Sequence, residues 1–205
     1  MDVAARLAAA PGIQRVPSPK LDLFIRRGFL DSEHCARLCA TIDRERRPST
    51  VSDDLGDKAF RTSETCDLDA RLADVVALEA ALAGLLGLDP AYGEPLQGQR
   101  YAVGQEFKAH TDYFEPNGAD YLRFCSVAGQ RTWTAMIYLN EPDAGGATRF
   151  KTINKTVQPE TGKLLCWNNL RPDGRPNVNT LHHGMKVRAG VKYVITKWYR
   201  ERPWA

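Results

Sequence analysis

The chain has 205 residues, 43% of them hydrophobic and 26% charged, which is the size and composition of one large domain with a real core and excludes a disordered, collagen-like or membrane-channel chain. Twenty-eight Lys and Arg against 25 Asp and Glu leave a formal charge of +3, too small to point to nucleic acid or an acidic membrane surface. Five scattered cysteines without a C-x-x-C pair exclude a disulfide framework and a thiolate zinc site. No run reaches the ~18 apolar residues of a membrane span, and the first ten residues lack the basic start and apolar stretch of a secretory signal. These features predict a soluble cytoplasmic protein with one domain over residues 1–205, in which residues 1–90 are helical support and 91–205 form a sheet-built core.

After a Pro-rich entry at Pro17 and Pro19, Asp31-Ser32 supplies a helix N-cap with Glu33 in the first turn. Cys35, Leu38, Cys39 and Ile42 follow at helical spacing, and the helix should end before Pro48. Asp69 starts a second helix whose apolar stripe is Leu72, Val75, Val76, Leu82 and Leu86, closed by Gly87 and Asp89-Pro90. From Gly98 the pattern changes to short β-branched and aromatic runs: 99–103, 107–111, 133–140, 148–151, 155–158, 163–167, 180–187 and 191–199. Turn signals such as Gly145-Gly146, Glu160-Thr161-Gly162 and Pro172-Asp173-Gly174 separate them. The expectation is a mainly β, α+β protein: a jelly-roll braced by N-terminal helices. The segment 113–130 has no clear periodicity, and loops of that length are often lids or binding loops.

His110-Thr111-Asp112 places an imidazole and a carboxylate two residues apart, on one face of a strand. Four histidines and fifteen aspartates give such a pair by chance about 0.3 times in this length, so alone it is weak. A third ligand candidate stands in Leu181-His182-His183-Gly184. Two histidines and one carboxylate are the facial set used by non-haem Fe(II) oxygenases, and zinc accepts the same donors. Strand alternation permits either His182 or His183 to face the metal. Lys192 shares a face with Val194, Thr196 and Trp198. It is either a solvated lysine or, if that face points inward, a buried cation in need of an anionic partner. His34 flanks the first helix's apolar stripe and reads as a surface or boundary residue, and the cysteines read as small core residues.

The ordered series Tyr101–Phe114, Gly129–Arg131, Met136–Asn140, Gly145–Phe150, Gly162–Leu170, His182–Val187, Gly190, Lys192 and Lys197-Trp198 resembles the Fe(II)- and 2-oxoglutarate-dependent dioxygenases, in their prolyl 4-hydroxylase-like branch. Val51-Ser52 and Arg61-Thr62-Ser63 resemble that family's segment beside the substrate groove. The resemblance implies a double-stranded β-helix with His110, Asp112 and His182 as iron ligands. It also implies Lys192 as partner of the distal carboxylate of 2-oxoglutarate, assisted by Tyr101, Tyr138 and Thr148. Tyr138 is equally well placed as plain core, since Met136–Leu139 looks buried on both faces. The implied chemistry uses Fe(II), 2-oxoglutarate and O2, with ascorbate as an accessory, and yields succinate, CO2 and a hydroxylated C–H bond. His183 stands where the family has a small residue and Lys186 where it commonly has proline.

The implied substrate is a prolyl residue in a peptide, with Arg61, Trp198 and the 113–130 loop shaping the groove. The alternatives are the same chemistry on a free amino acid or other small molecule, and a non-catalytic metal-binding jelly-roll. A zinc hydrolase is disfavoured, because no general base sits at a recognisable spacing from the ligands. No nucleic-acid partner is expected, since no basic stripe carries interleaved aromatics.

Overall fold

The computed structural model describes residues 2–49, 60–118 and 120–204. In chain order its elements are α1 (Val3–Ala9), β1 (Ile13–Arg15), β2 (Leu23–Arg26), α2 (Ser32–Glu45), β3 (Arg47–Pro48), β4 (Glu64–Asp67) and α3 (Ala73–Leu86). There follow β5 (Gln97–Tyr101), β6 (Phe107–His110), α4 (Tyr121–Cys125), β7 (Arg131–Tyr138), β8 (Ala144–Gly145) and β9 (Thr148–Phe150). The chain ends with β10 (Lys155–Val157), β11 (Leu164–Asn168), β12 (His182–Gly184), β13 (Val187–Ala189) and β14 (Lys192–Arg200). Val51-Ser52 lies outside the described residues.

The predicted helices form for the expected reasons, with shifted ends. Asp31 caps α2 by accepting from the His34 amide at 2.7 Å, and Cys35, Leu38 and Ile42 are buried. The second helix starts at Ala73 rather than Asp69, whose carboxylate is engaged by the Arg71 amide and guanidinium in a turn. Its buried stripe is Val75, Leu78, Leu82 and Leu86, a set that shares one face, while Val76 lies a step of about 100° off it and is exposed. Gly87 closes the helix at φ 68°, a left-handed conformation that costs glycine no steric penalty. The sequence gives no strong periodic signal for α1, which Asp2 caps and whose Val3 and Leu7 are buried.

The strands build an eight-stranded sheet in the order β1-β2-β11-β7-β14-β5-β4-β3 and a four-stranded sheet in the order β10-β9-β12-β6, with β13 and β8 paired separately. This is the expected jelly-roll. The division at residue 90 is nevertheless not one of helices from sheet: β1 to β4 come from the first part and pair into the large sheet. They escape a pattern-based reading because they are two to four residues long and lie next to Pro17, Pro19 and Pro48.

The central strand β7 shows what the large sheet does. Trp133, Ala135 and Ile137 pack on the helix side with Leu38, Leu78 and Leu82. Met136 and Tyr138 pack on the other side with Phe150, Trp167 and Val194, between the two sheets. Each fully buried large apolar side chain contributes about 1.5–3 kcal/mol, so the helices anchor the outer face while the inner face is left to shape a site. Among the described residues no helix is long and apolar enough to cross a membrane.

Candidate active site

The site lies between the two sheets, where β6 and β12 are paired with His110 opposite His182. Nε2 of His110 is 3.7 Å and Nε2 of His182 3.9 Å from Oδ1 of Asp112, and one donor atom from each of the three lies within 4.8 Å of the others. The Nδ1 atoms face backbone carbonyls, Lys108 O at 2.7 Å and Thr180 O at 2.8 Å. A carbonyl only accepts, so each Nδ1 carries the proton and each Nε2 lone pair points free. Phe107 stacks on the His110 ring at 3.5 Å and Trp167 stands edge-on to His182 at 5.0 Å, which fixes both imidazoles.

Electrostatics puts His110 and Asp112 in the protonation state a metal requires. Burial, reinforced by the neighbouring His182, pushes the His110 imidazolium pKa down to about 3, so the ring is neutral. Burial alone would raise the Asp112 carboxyl, but His182, His110, Arg131 and the Thr134 hydroxyl outweigh it and hold the group below its ordinary value. Thr134 Oγ1 donates to Asp112 Oδ2 at 2.7 Å and itself accepts from Asn169 Nδ2 at 2.9 Å. The free Asp112 Oδ1 faces the imidazoles. Two imidazole nitrogens and one carboxylate oxygen converging within 4.8 Å fit a divalent first-row metal ion.

The pairing separates the two histidines. His182 is buried beside His110 and Asp112, whereas His183 turns away and its Nε2 meets Glu106 Oε2 at 2.9 Å. His182→Ala is therefore expected to abolish metal binding and His183→Ala to leave it intact, as read by Mn(II) titration calorimetry. Thr134→Val keeps the strand's shape but strips the bond that orients Asp112. Metal affinity should fall about 10- to 100-fold in the same titration, the usual effect of losing a group that orients a ligand.

Behind the triad is a small, partly open cavity whose lining includes Tyr101, Thr148, Trp167, Lys192, Val194 and Thr196. The inward face predicted for β14 is the observed one: Lys192, Val194, Thr196 and Trp198 all line this space. Lys192 is 2% exposed. Its Nζ lies 4.9 Å from the Tyr101 ring centre and 5.4 Å from that of Tyr138, and no carboxylate among the described residues pairs with it. Burial pushes its pKa down to about 7. A buried ammonium without a counter-ion is costly, so the cavity fits a ligand that brings its own carboxylate. Gly146, at φ 71°, makes room: a Cβ there would stand 3.1 Å from Lys192 Cδ.

Tyr101 and Thr148 line the cavity as predicted, while Tyr138 stands behind it. Its hydroxyl reaches Thr148 Oγ1 at 2.6 Å and Val157 O at 3.2 Å, so it orients Thr148 from the core. Tyr101 donates to Gln99 Oε1 at 3.0 Å, and Gln99 Nε2 donates to Thr196 at 3.2 Å. Trp167, Val194 and Trp198 supply the apolar wall.

On the other side of the triad lies a wider cleft of about 670 Å³, bordered by Phe60, Arg61, Tyr113, Phe114, Phe124 and Trp204 among others. Phe107, His110, Asp112 and Trp198 border both spaces, so His110 and Asp112 stand at the junction of an inner cavity and an outer cleft. Arg61 reaches the cleft with its guanidinium 4.9 Å from the Phe107 ring centre, and its Nε and Nη2 are held by Ser63, Thr65 and Gln97. The 113–130 segment borders the cleft as expected and contains the short α4. Thr134, Asn169, Glu94 and Arg200 carry no local sequence signal. Their partners lie 22 to 106 residues away.

A jelly-roll holding two histidines and a carboxylate beside a cavity built around a buried cation is the architecture of a metal-dependent oxygenase that uses an anionic co-substrate. The family model for the 2OG-Fe(II) oxygenase superfamily matches residues 96–200. The chain belongs to that superfamily, whose members use Fe(II), 2-oxoglutarate and O2. It is 35% identical over 153 residues to human prolyl 4-hydroxylase subunit alpha-3, a match covering 71% of this chain and 28% of that protein. The chain thus spans little more than a quarter of the curated relatives it matches. Two solved structures share the fold. A viral collagen prolyl hydroxylase of Paramecium Bursaria Chlorella virus-1, in its 2OG complex, gives a TM-score of 0.67 at 24% identity over 87% of this chain and 95% of that one. A Pseudomonas putida prolyl-4-hydroxylase gives 0.61 at 20% identity over 97% of both.

Proposed function

We propose that this chain hydroxylates a prolyl residue in a peptide or protein. The observation that carries the reading is the two-sided site: an inner cavity with an unpaired cation, and an outer cleft large enough for a peptide, meeting at His110 and Asp112. The cleft is bordered by Phe60, Tyr113, Phe114, Trp198 and Trp204, aromatic surfaces that suit a proline ring, which offers no charge to grip. The kinship with prolyl 4-hydroxylase subunits supports the same substrate.

Bound together at this site, iron and 2-oxoglutarate supply the activation of O2 that hydroxylates a C–H bond, with release of succinate and CO2. The protein contributes position and exclusion of water. His110, Asp112 and His182 hold the metal. Lys192 neutralises the distal carboxylate, with Tyr101 and Thr148 offering hydroxyls beside it. Trp167, Val194 and Trp198 keep solvent from the inner cavity. Ascorbate as accessory reductant and a reducing, cytoplasmic compartment belong to the same reading.

The test is to incubate the Fe(II)-loaded protein with 2-oxoglutarate and a panel of proline-containing peptides, and to read peptides by mass spectrometry and succinate in parallel. One added oxygen on a proline is the expected result. Oxygen added only to free amino acids or other small molecules would move the substrate class, and no succinate with any of them would leave a metal-binding jelly-roll without catalysis.

A further inference from the structure

The segment that closes the cleft, from Tyr113 to Gln130, pairs with no strand among the described residues; its one regular element is the five-residue α4. Gln130 bonds the Phe114 backbone and Arg202 the carbonyls of Cys125, Ser126 and Val127, and the buried contribution comes from a side chain at the end of β14. Arg200 is buried, donates from Nη2 to the carbonyls of Phe124 and, at 2.6 Å, Gly129, and donates from Nη1 to Glu94 Oε1 at 2.7 Å. Its guanidinium carbon lies 5.3 Å from the ring centre of Phe114, which itself stacks on Phe124 at 5.1 Å. One cation therefore touches the start, the helix and the end of the segment.

Glu94 is shared with a second arginine. Its other bonds are to Arg131, 2.6 Å to Nε and 2.7 Å to Nη2, and Arg131 Nη1 donates to the backbone carbonyl of Asp112 at 3.2 Å. A buried arginine sharing its only carboxylate with a second arginine is expensive to maintain, and an apolar side chain would pack the same space at less cost. The directional bonds to Phe124 and Gly129 are what the guanidinium adds.

We propose that Arg200 is a positioning residue for substrate recognition, which seats the 113–130 segment on the outer cleft without acting on the inner cavity. The split follows from the lining. Tyr113, Phe114, Glu115 and Phe124 border the cleft, and none of them borders the cavity that holds Lys192. The proposal rests on the reading of the cleft as the peptide side of the site.

The experiment compares wild type, Arg200→Gln and Arg200→Lys as the full chain loaded with Mn(II). Hydrogen exchange of the 121–130 amides should quicken about tenfold in Arg200→Gln, the loss expected when bonds to a charged donor go, and less in Arg200→Lys. Calorimetric affinity for 2-oxoglutarate should stay within about twofold of wild type. For a peptide hydroxylated by the Fe(II) enzyme, KM should rise about tenfold while KM for 2-oxoglutarate is unchanged. Lys197→Met, which breaks a buried ion pair with Glu79 on the helix side of the sheet, calibrates general destabilisation and should leave the segment's exchange as it is. Unchanged exchange in Arg200→Gln, faster exchange spread evenly over the chain, or an equal loss of 2-oxoglutarate affinity overturns the proposal. Should Arg200→Gln fail to fold, Arg200→Lys decides by the same measurements. Exchange and calorimetry need no peptide, so failure of the prolyl reading would show separately.

Discussion

Asp112→Ala protein should fold, bind Mn(II) far more weakly than wild type, and produce no succinate above background from 2-oxoglutarate and O2. Loss of a group hydrogen-bonded behind a ligand costs about 10- to 100-fold in metal affinity, and Asp112 is itself the only carboxylate of the triad. Its removal also leaves the Thr134 hydroxyl without its acceptor. The fold should survive because Asp112 sits beyond the end of β6 and its backbone carbonyl, which accepts from Arg131, is retained. Three measurements check this together: thermal melting, Mn(II) calorimetry and succinate release. A variant that melts like wild type, binds metal like wild type and still releases succinate would remove Asp112 from the triad.

The second large effect belongs to Lys192, and pH exposes it. In the free cavity its pKa is pushed down to about 7 by burial, so above that pH the amine is mostly neutral. Pairing with a carboxylate requires the ammonium. Binding of 2-oxoglutarate should therefore take up a proton, and its affinity should weaken about tenfold per pH unit as pH rises above about 7. Calorimetry on Mn(II)-loaded protein, repeated in buffers of different ionisation enthalpy, reads both quantities. Lys192→Met should remove the pH slope and weaken binding by roughly two to three orders of magnitude, the loss expected when one partner of a buried ion pair is deleted.

The same group makes an opposite prediction for stability. Its folded pKa lies below the unfolded one, so the unfolded chain holds more protons between about pH 7 and 10.5. The ligand-free protein should become more stable as pH rises through that window. Below it the full burial cost of the charge remains. Lys192→Met should consequently melt higher than wild type at pH 7 without ligand.

Much of the site was legible because its chemistry imposes local spacing. His110 ends β6 with Asp112 two residues on, and Lys192, Val194, Thr196 and Trp198 alternate on one face, which the cavity lining bears out. The helices α2 and α3 were legible from caps and periodicity. The short α1 was not, because a seven-residue, alanine-rich segment has little helical stability of its own and is held by burying Val3 and Leu7. Val76 misled because an apolar residue one step off a stripe looks like part of it until the packing partner is known.

By itself, then, the amino-acid order determined the metal-binding donor types, the buried-cation candidate and the β-rich class, since each follows from residue chemistry and short-range geometry. The tertiary structure brought His182 together with His110 and Asp112 through the pairing of β12 with β6, and turned His183 to Glu106. It also brought Thr134 and Asn169 behind Asp112 and tied Arg200 to Glu94 and the 113–130 segment. Those contacts join residues far apart in the chain. They arise because a buried charge or polar atom must find its partner wherever the fold brings one within reach, and no local spacing encodes that meeting.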